Sequence, residues 1–217
     1  MKKLPSGLYL ITDQYIVKGL SHVQIAEKAL LGGVKFIQYR EKQLSKRESY
    51  KIALQLREIT RKYNAVLIIN DDIDIAMAVD ADGVHLGQED FPVHAARKIL
   101  GDSKIIGLST HSLKQAEEAL GSGADYIAIG PIFKSTTKDV REPLGVDIIK
   151  EIRKISRMPV IAIGGINENN MEDAIKAGAD GAAVISVIIT KEDITAAVKE
   201  FIRKIEPALP EENLRRE

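Results

Sequence analysis

A chain of 217 residues that is 45% hydrophobic is long enough for one well-packed domain. Its 31 Lys and Arg balance its 31 Asp and Glu, so net charge gives no reason to expect nucleic acid or an anionic membrane as partner. Cysteine is absent, which excludes disulfides and thiolate metal sites and suits a reducing, cytoplasmic setting.

The opening MKKLPSGLYLITD has two lysines, but its apolar run is short and meets Asp13, so it does not read as a signal peptide. No apolar run reaches the length of a membrane span. In chain order, the first half predicts a strand at Gly7–Asp13, a helix at Ser21–Leu31, a strand at Val34–Arg40 and a helix at Ser45–Lys62. A strand at Val66–Asn70, a short helix at Asp72–Val79, a strand at Gly83–Gly87 and a helix at Pro92–Leu100 follow. The second half predicts strands at Lys104–Ser109, Tyr126–Gly130, Pro159–Gly164 and Gly181–Ser186. Helices at Ser112–Ser122, Val146–Ser156, Glu168–Ala177 and Lys191–Ile205 alternate with them. Ser45, Ser112 and Asn167 stand where N-caps belong.

Runs such as VLII, YIAI, VIAI and AAVI are apolar throughout, as in parallel strands buried on both faces. A weak repeat marks the helix-to-strand joins: Gly32-Gly33-Val34-Lys35, Ala81-Asp82-Gly83-Val84, Gly123-Ala124-Asp125-Tyr126 and Gly178-Ala179-Asp180-Gly181. Eight strands alternating with eight helices predict a single (β/α)8 TIM barrel over residues 1–205, with a polar tail at 206–217 that frays. The alternative, an open doubly wound sheet, wants a Gly-rich turn after an early strand, and Leu10-Ile11-Thr12-Asp13 offers none.

A barrel keeps its chemistry at the C-terminal ends of its strands. The polar residues gather at those ends. Gln38-Tyr39-Arg40-Glu41-Lys42 ends the second strand, Asn70-Asp71-Asp72 the third, and His85 to Asp90 the fourth. Ser109-Thr110-His111 follows the fifth, Gly164-Gly165 the seventh, and Ile185-Ser186 the eighth. After the sixth, a loop of roughly fifteen residues carries Lys134, Ser135, Thr136, Thr137, Lys138 and Arg141. Such a loop is a candidate lid.

Arg40, with a planar fork, and Lys42, with a point charge, suit a di- or triphosphate; a surface charge cluster is the alternative. Asp71 and Asp90 at neighbouring strand ends suit Mg²⁺, unless Asp71 or Asp72 only caps the next helix and Asp90 only starts a turn. Gly164-Gly165 and Ile185-Ser186 suit a monophosphate held by backbone N–H groups, or are simply tight turns. His22 and His94 are expected on the surface, and His85 in a packed, hydrogen-bonded role. His111 is left open between ligand contact and structure. No zinc spacing occurs. The residues thus outline one anion site with a metal, built on Arg40, Lys42 and Lys138, and a second, neutral one with the Ser135–Thr137 hydroxyls. Neutralising a departing pyrophosphate is the chemistry this arrangement serves.

Seven motifs, in order, carry a resemblance. They are Tyr9-Leu-Ile-Thr-Asp13, Gln38-Tyr-Arg-Glu-Lys42, Ile69-Asn-Asp-Asp72, His85-Leu-Gly-Gln-Glu-Asp90, Gly107-Leu-Ser109, Gly130-Pro-Ile-Phe133 with Ser135-Thr-Thr-Lys138, and Ala162-Ile-Gly-Gly-Ile166. From about Leu8 to Phe201 the chain resembles the thiamine-phosphate synthase family. The resemblance implies a barrel enzyme joining 4-amino-5-hydroxymethyl-2-methylpyrimidine diphosphate to a thiazole phosphate, through a pyrimidine carbocation, with release of pyrophosphate. It implies that Gln38, Arg40, Lys42 and Asn70, within the strand end that includes Tyr39 and Glu41, hold the pyrimidine diphosphate, and that Ser109 and Lys138 also contact it. Arg40, Lys42, Ser109 and Lys138 are the residues expected to act in catalysis. Asp71 and Asp90 would ligate Mg²⁺, and Ser135, Thr136, Thr137, Gly165, Ile185 and Ser186 would hold the thiazole phosphate. Lys134-Ser135 departs from the family's usual Pro-Thr. Thiazole tautomerases, which resemble this fold but lack the full diphosphate and metal set, are the nearest rival, and a non-catalytic phosphate- or thiamine-binding barrel is the other. The joint presence of Arg40, Lys42, Asp71, Asp90 and Lys138 favours the synthase.

Overall fold

The apolar runs become eight short strands: β1 (Gly7–Thr12), β2 (Phe36–Tyr39), β3 (Val66–Asn70), β4 (Gly83–Leu86), β5 (Ile105–Thr110), β6 (Tyr126–Ile129), β7 (Val160–Ile163) and β8 (Gly181–Val184). In this computed structural model, which describes residues 6–17, 19–134 and 142–209, each strand pairs in parallel with its sequence neighbours. Pairing of Gly7 with Gly181 and of Leu10 with Val184 closes β8 on β1 into a barrel. Most strands stop short of their predicted C-terminal ends. Asp13, Arg40, Gly87 and Gly130 have already left the ladder to form the loops of one rim. Ser135, Thr136, Thr137, Lys138 and Arg141 lie outside the described residues.

The helices are α1 (His22–Leu31), α2 (Lys46–Lys62), α3 (Ile73–Ala78), α4 (Val93–Leu100), α5 (Leu113–Leu120), α6 (Asp147–Ile155), α7 (Met171–Lys176), α8 (Ser186–Ile189) and α9 (Ile194–Ile205). None among the described residues is long and apolar enough to cross a membrane. Ser21 and Ser45 cap α1 and α2 in reciprocal capping boxes with Gln24 and Glu48, and Ser112 caps α5. Asn167 does not cap α7. Its Oδ1 accepts from Asn169 N at 2.9 Å in a preceding turn, and the helix starts later, at Met171. The four-residue α8 is unforeseen: it fills the stretch between the predicted eighth strand, which ends at Ser186, and the helix predicted from Lys191, and SVII is too short to show a helical period.

Alternate residues along each strand enter different layers. Tyr9, Ile11, Phe36, Ile68, Ile105, Tyr126, Ala128, Ile161 and Ala183 fill the barrel interior. Leu10, Ile37, Leu67, Ile69, Val84 and Ile127 face the helices instead. Tyr126 takes its interior place because β5 has glycine beside it: a Cβ on Gly107 would lie 2.1 Å from Tyr126 Cζ. Gly107→Ala should therefore destabilise the fold by about 1–3 kcal/mol, read from urea unfolding midpoints. A change within experimental error would contradict this packing.

The repeat at the helix-to-strand joins has a physical basis. Asp82, Asp125 and Asp180 each accept from a backbone N–H at the start of the preceding strand: Leu67 N at 2.7 Å, Ile106 N at 2.7 Å and Val160 N at 2.8 Å. Each also pairs with an arginine from the helix two places earlier in the chain. Arg57 forks onto Asp82 at 2.7 and 3.2 Å, Arg97 meets Asp125 at 2.6 Å, and Arg153 donates to Asp180. These Arg–Asp clamps sit at the N-terminal ends of the strands, opposite the loops of the polar rim. The first join, Gly32-Gly33-Val34-Lys35, differs: Lys35 Nζ donates to Tyr63 O at 2.9 Å.

Past α9 the chain stays packed for a few residues. A 3₁₀ turn at Glu206–Ala208 brings Leu209 into the core beside Gly7, within the segment expected to fray. The remainder of that segment, 210–217, lies outside the described residues.

Candidate active site

Strand alternation carries β2's polar residues to the rim. Gln38 points into the barrel and donates through Nε2 to the Tyr9 hydroxyl. Two residues on, Arg40 Nη1 donates to Asp13 Oδ2 at 3.3 Å, across to the end of β1. Lys42 Nζ reaches the end of β3 and donates to Asp71 Oδ2. Tyr39 lies on the opposite face of β2. It is 2% exposed, its ring packed edge-on against His22 at 4.8 Å, so it does not reach the mouth as its place in the motif implied.

Glu41 also turns away from the mouth. Its Oε1 accepts from the backbone N of Lys42 at 2.7 Å, of Gln43 at 2.6 Å and of Leu44 at 3.2 Å, and from Tyr15 Oη at 3.0 Å. Burial works to raise its pKa, but the Gln43 and Leu44 N–H groups and its other donors outweigh that and lower it. Glu41 thus shapes the loop that carries Lys42. His22, expected on the surface, is wholly buried beneath this loop, with Nδ1 2.7 Å from Thr12 Oγ1 and Nε2 3.2 Å from Glu41 Oε2. The first turn of α1 tucks under the β1–β2 rim, so its inward face includes His22.

Asp71 sits at φ 62°, in the left-handed region, at the end of β3. Its carboxyl is raised, first by burial and then by the facing Asp90 carboxyl, against the pull of Lys42. The Asp90 carboxyl is lowered: burial opposes this, but hydrogen bonds from Asp71 and from Gly87 N, at 2.7 Å, prevail. Two carboxyls near enough to share a proton make a fitting seat for a divalent cation. No cluster of three or more His, Asp or Glu stands ready to bind metal among the described residues. A cation here would complete its shell with phosphate oxygens and water, as suits Mg²⁺. Asp72 is elsewhere engaged. It holds Lys46 and occupies the N-cap position of α3 without a side-chain cap bond.

On the far side of the barrel, Ser109 Oγ lies 2.9 Å from His85 Nε2, and His85 Nδ1 lies 2.9 Å from Tyr126 Oη. Burial holds the His85 pKa down, to about 4, so the ring is neutral at neutral pH. The packed role expected of His85 is the one observed. His94 is exposed, as expected.

A cavity of about 460 Å³ is lined by Asp13, Arg40, Ser109, Gly165, Ile185 and Ser186 among others, while Gln38, Lys42, Asp71, Asp90 and His85 are not among its lining residues. Asn70, half-buried, ends β3 nearby in the fold. His111, left open on sequence, also lines the cavity, and its Nδ1 donates to Gly130 O at 2.7 Å. Lys134 lines it too, and was not among the expected contacts; on sequence it was one more cation in a polar loop. The glycines after β7 serve a close approach. Gly165 has φ +66°, and a Cβ there would lie 2.6 Å from the carbonyl oxygens of Phe133 and Lys134. The loop after β6 is pinned at both ends: Phe133 N donates to Gly164 O at 3.0 Å, and Gly145 N to Ile132 O at 3.0 Å.

The closed parallel barrel, with cationic and acidic side chains facing a glycine rim across one cavity, defines a (β/α)8 enzyme that handles phosphorylated small molecules. The model of the thiamine monophosphate synthase family matches residues 8–188. The chain is 47% identical over 195 residues to the thiamine-phosphate synthase of Chloroflexus aurantiacus, covering 89% of this chain and 90% of that protein. To the thiamine-phosphate synthase of Clostridium novyi it is 49% identical over 193 residues, covering 88% and 95%. The structure of thiamine phosphate pyrophosphorylase from Pyrococcus furiosus superposes with a TM-score of 0.85 at 40% identity, covering 94% of this chain and 97% of that one. The chain belongs to the thiamine monophosphate synthase family.

Proposed function

We infer that the protein condenses 4-amino-5-hydroxymethyl-2-methylpyrimidine diphosphate with a thiazole phosphate, giving thiamine phosphate and pyrophosphate. One observation beside family membership carries the residue roles: Arg40 and Ser109 share a single cavity with Gly165 and Ser186. Such a cavity can hold two phosphorylated substrates with their reacting carbons and nitrogen between them. Its small-molecule substrates and cysteine-free composition suit a cytoplasmic site of action.

Arg40 and Lys42 anchor the diphosphate, with Arg40 braced by Asp13. Gln38 and Ser109 take the pyrimidine ring, and Asn70 the diphosphate side of the same substrate. Gly165, Ile185 and Ser186 offer backbone N–H groups to the thiazole phosphate. From sequence, the Ser135, Thr136 and Thr137 hydroxyls add to that second site, and Lys138 to the first. Asp71 and Asp90 would hold Mg²⁺, which when bound supplies positive charge to a departing pyrophosphate. As the C–O bond to pyrophosphate breaks, charge builds on the leaving oxygens, where Arg40 and Lys42 are placed to meet it. The apolar walls given by Ile163, Ile166 and Val184 exclude water from a methylene cation that water would capture.

Supplying both substrates and Mg²⁺ should yield thiamine phosphate and pyrophosphate in equal amounts. Failure to form either product across a range of pH and metal concentration would sink this reading. EDTA should abolish turnover; a metal-independent reaction would favour the tautomerase alternative. Lys42→Ala removes a charge-assisted contact worth about 1.5–3 kcal/mol, so kcat/KM should fall roughly 10- to 150-fold. The loss should appear against the pyrimidine diphosphate, with KM for the thiazole phosphate unchanged.

A further inference from the structure

A row of hydrogen-bonded side chains crosses the barrel interior beneath the cavity. It runs from Gln38 on β2 to Tyr9 on β1, Tyr126 on β6, His85 on β4 and Ser109 on β5. Tyr9 and Tyr126 are 1% and 0% exposed, so no water is at hand to satisfy a stray hydroxyl. That makes the direction of each bond derivable from its neighbour.

Gln38 donates through Nε2 to the Tyr9 oxygen. Tyr9's own hydrogen then has the Tyr126 oxygen, 3.0 Å away, as its partner. Tyr126 in turn donates to His85 Nδ1 at 2.9 Å. A neutral imidazole accepting at Nδ1 carries its hydrogen on Nε2. That hydrogen goes to Ser109 Oγ at 2.9 Å. Reversing a single link fails: at either link of Tyr126 it leaves a buried tyrosine hydrogen without an acceptor, at Gln38–Tyr9 it leaves the two tyrosine oxygens facing with no hydrogen between them, and at His85–Ser109 it leaves the imidazole with no hydrogen at all. The one other consistent arrangement reverses every link together, the Gln38 amide included. With the amide oriented as in the structure, two groups remain unspent. Gln38 Oε1 makes no hydrogen bond among the described residues, and the Ser109 hydroxyl hydrogen is free to point into the cavity that Ser109 lines.

We propose that this row fixes the hydrogen-bond polarity of the pyrimidine site, with an acceptor at Gln38 Oε1 and a donor at Ser109 Oγ, so that Tyr9, Tyr126 and His85 are positioning residues selecting a ring edge that carries an amino group beside an unprotonated ring nitrogen. The proposal rests on the reading of Gln38 and Ser109 as pyrimidine contacts. A 4-aminopyrimidine presents that edge: its amino group donates and its adjacent nitrogen accepts. The 4-oxo analogue presents the reverse, a carbonyl beside a ring N–H. Gln38 Oε1 then meets a carbonyl oxygen, acceptor against acceptor, and Ser109, already accepting from His85, meets the ring N–H only through its second lone pair, its own hydrogen left without the ring nitrogen. The Gln38 end cannot adapt without reorienting the row. Selectivity is therefore set by groups that never touch the substrate.

The experiment compares the 4-amino and 4-oxo pyrimidine diphosphates as substrates of the wild-type protein and of Tyr126→Phe, with thermal midpoints recorded alongside. A site built around an N–H group rejects its mismatch by about ten-thousand-fold in kcat/KM, and wild type should do so. Tyr126→Phe should raise KM for the amino substrate, leave KM for the thiazole phosphate unchanged, and lower the amino-to-oxo preference at least tenfold. A Tyr126 that matters only for packing would lower the midpoint and leave that preference intact, which would overturn the proposal. Tyr9→Phe breaks the neighbouring link and serves the same comparison if Tyr126→Phe does not fold. The ¹⁵N spectrum of His85 in the unliganded wild-type protein tests the row directly. The hydrogen should be on Nε2, and finding it on Nδ1 overturns the proposal whatever the substrate. Wild-type protein that shows the Nε2–H form yet turns over neither pyrimidine would refute the assigned reaction and leave the row standing.

Discussion

Asp71→Asn should lower kcat about a hundred- to thousand-fold while leaving the fold intact. The factor is that expected on losing one preorganised electrostatic group at a site of developing charge. Asn keeps the shape and one acceptor oxygen but cannot supply the charge that holds a divalent cation against Asp90. The backbone favours this substitution over any other. Asp71 sits at φ 62°, and Asn is among the residues that tolerate that region. Asp71→Ala would add backbone strain, and so mix the two effects.

Stability should move little, or upward. The Asp71 pKa is raised by burial and by Asp90, so between the unfolded and folded pKa values the folded chain binds more protons than the unfolded chain. Stability then falls as pH rises through that window, and ionised Asp71 is a net cost at neutral pH in metal-free protein. Asn removes that cost. What it loses is a pairing with Lys42, whose side chain is half exposed, and such pairs contribute little. Turnover and chemical denaturation measured on the same preparation separate the two outcomes. Undiminished kcat would remove Asp71 from the site.

Asp180→Ala should do the opposite, destabilising the protein while sparing the activity of whatever remains folded. The substitution strands the Val160 N–H and removes the acceptor of Arg153 Nη2. Arg153 stays fixed by Gly178 O at 2.6 Å and Met158 O at 2.7 Å, so its charge cannot simply swing into water. Both side chains are less than a quarter exposed. Loss of one partner from such a pair costs about 2–4 kcal/mol, or roughly 5–15 °C in thermal midpoint for a chain of this size. The site lies at the other end of the barrel, so kcat/KM per folded molecule should be unchanged at a temperature where the variant is native. A parallel loss of kcat/KM would mean that the two ends are coupled.

The barrel was legible because its strands are apolar on both faces and its helices amphipathic, and those periods survive in YIAI and in Ser45–Lys62. The acidic pair at the β3 and β4 ends was legible from position alone, since strand ends converge in a barrel. Three features were not. Tyr39 and Glu41 sit inside a polar motif, but strand alternation and backbone donors turn them away from the mouth. His22 looked like a surface helix residue, because the depth to which the first turn of α1 tucks under the rim is a tertiary fact. The interior row from Gln38 to Ser109 joins side chains up to 117 positions apart, a separation over which sequence pattern carries no sign.

The Asp repeat was seen on sequence only as punctuation, and its geometry bears on how the chain assembles. The clamps join residues 25, 28 and 27 positions apart, for Arg57 with Asp82, Arg97 with Asp125 and Arg153 with Asp180. Ring closure must instead bring Gly7 to Gly181. Contacts between near neighbours lose less chain entropy on forming, so they tend to precede those between distant ones. The clamps are therefore suited to tie successive strands into arcs of correct register before the ring shuts. Assembly would be directed from one end of the barrel and chemistry carried out at the other, leaving the catalytic loops free to vary without disturbing the order in which the strands come together.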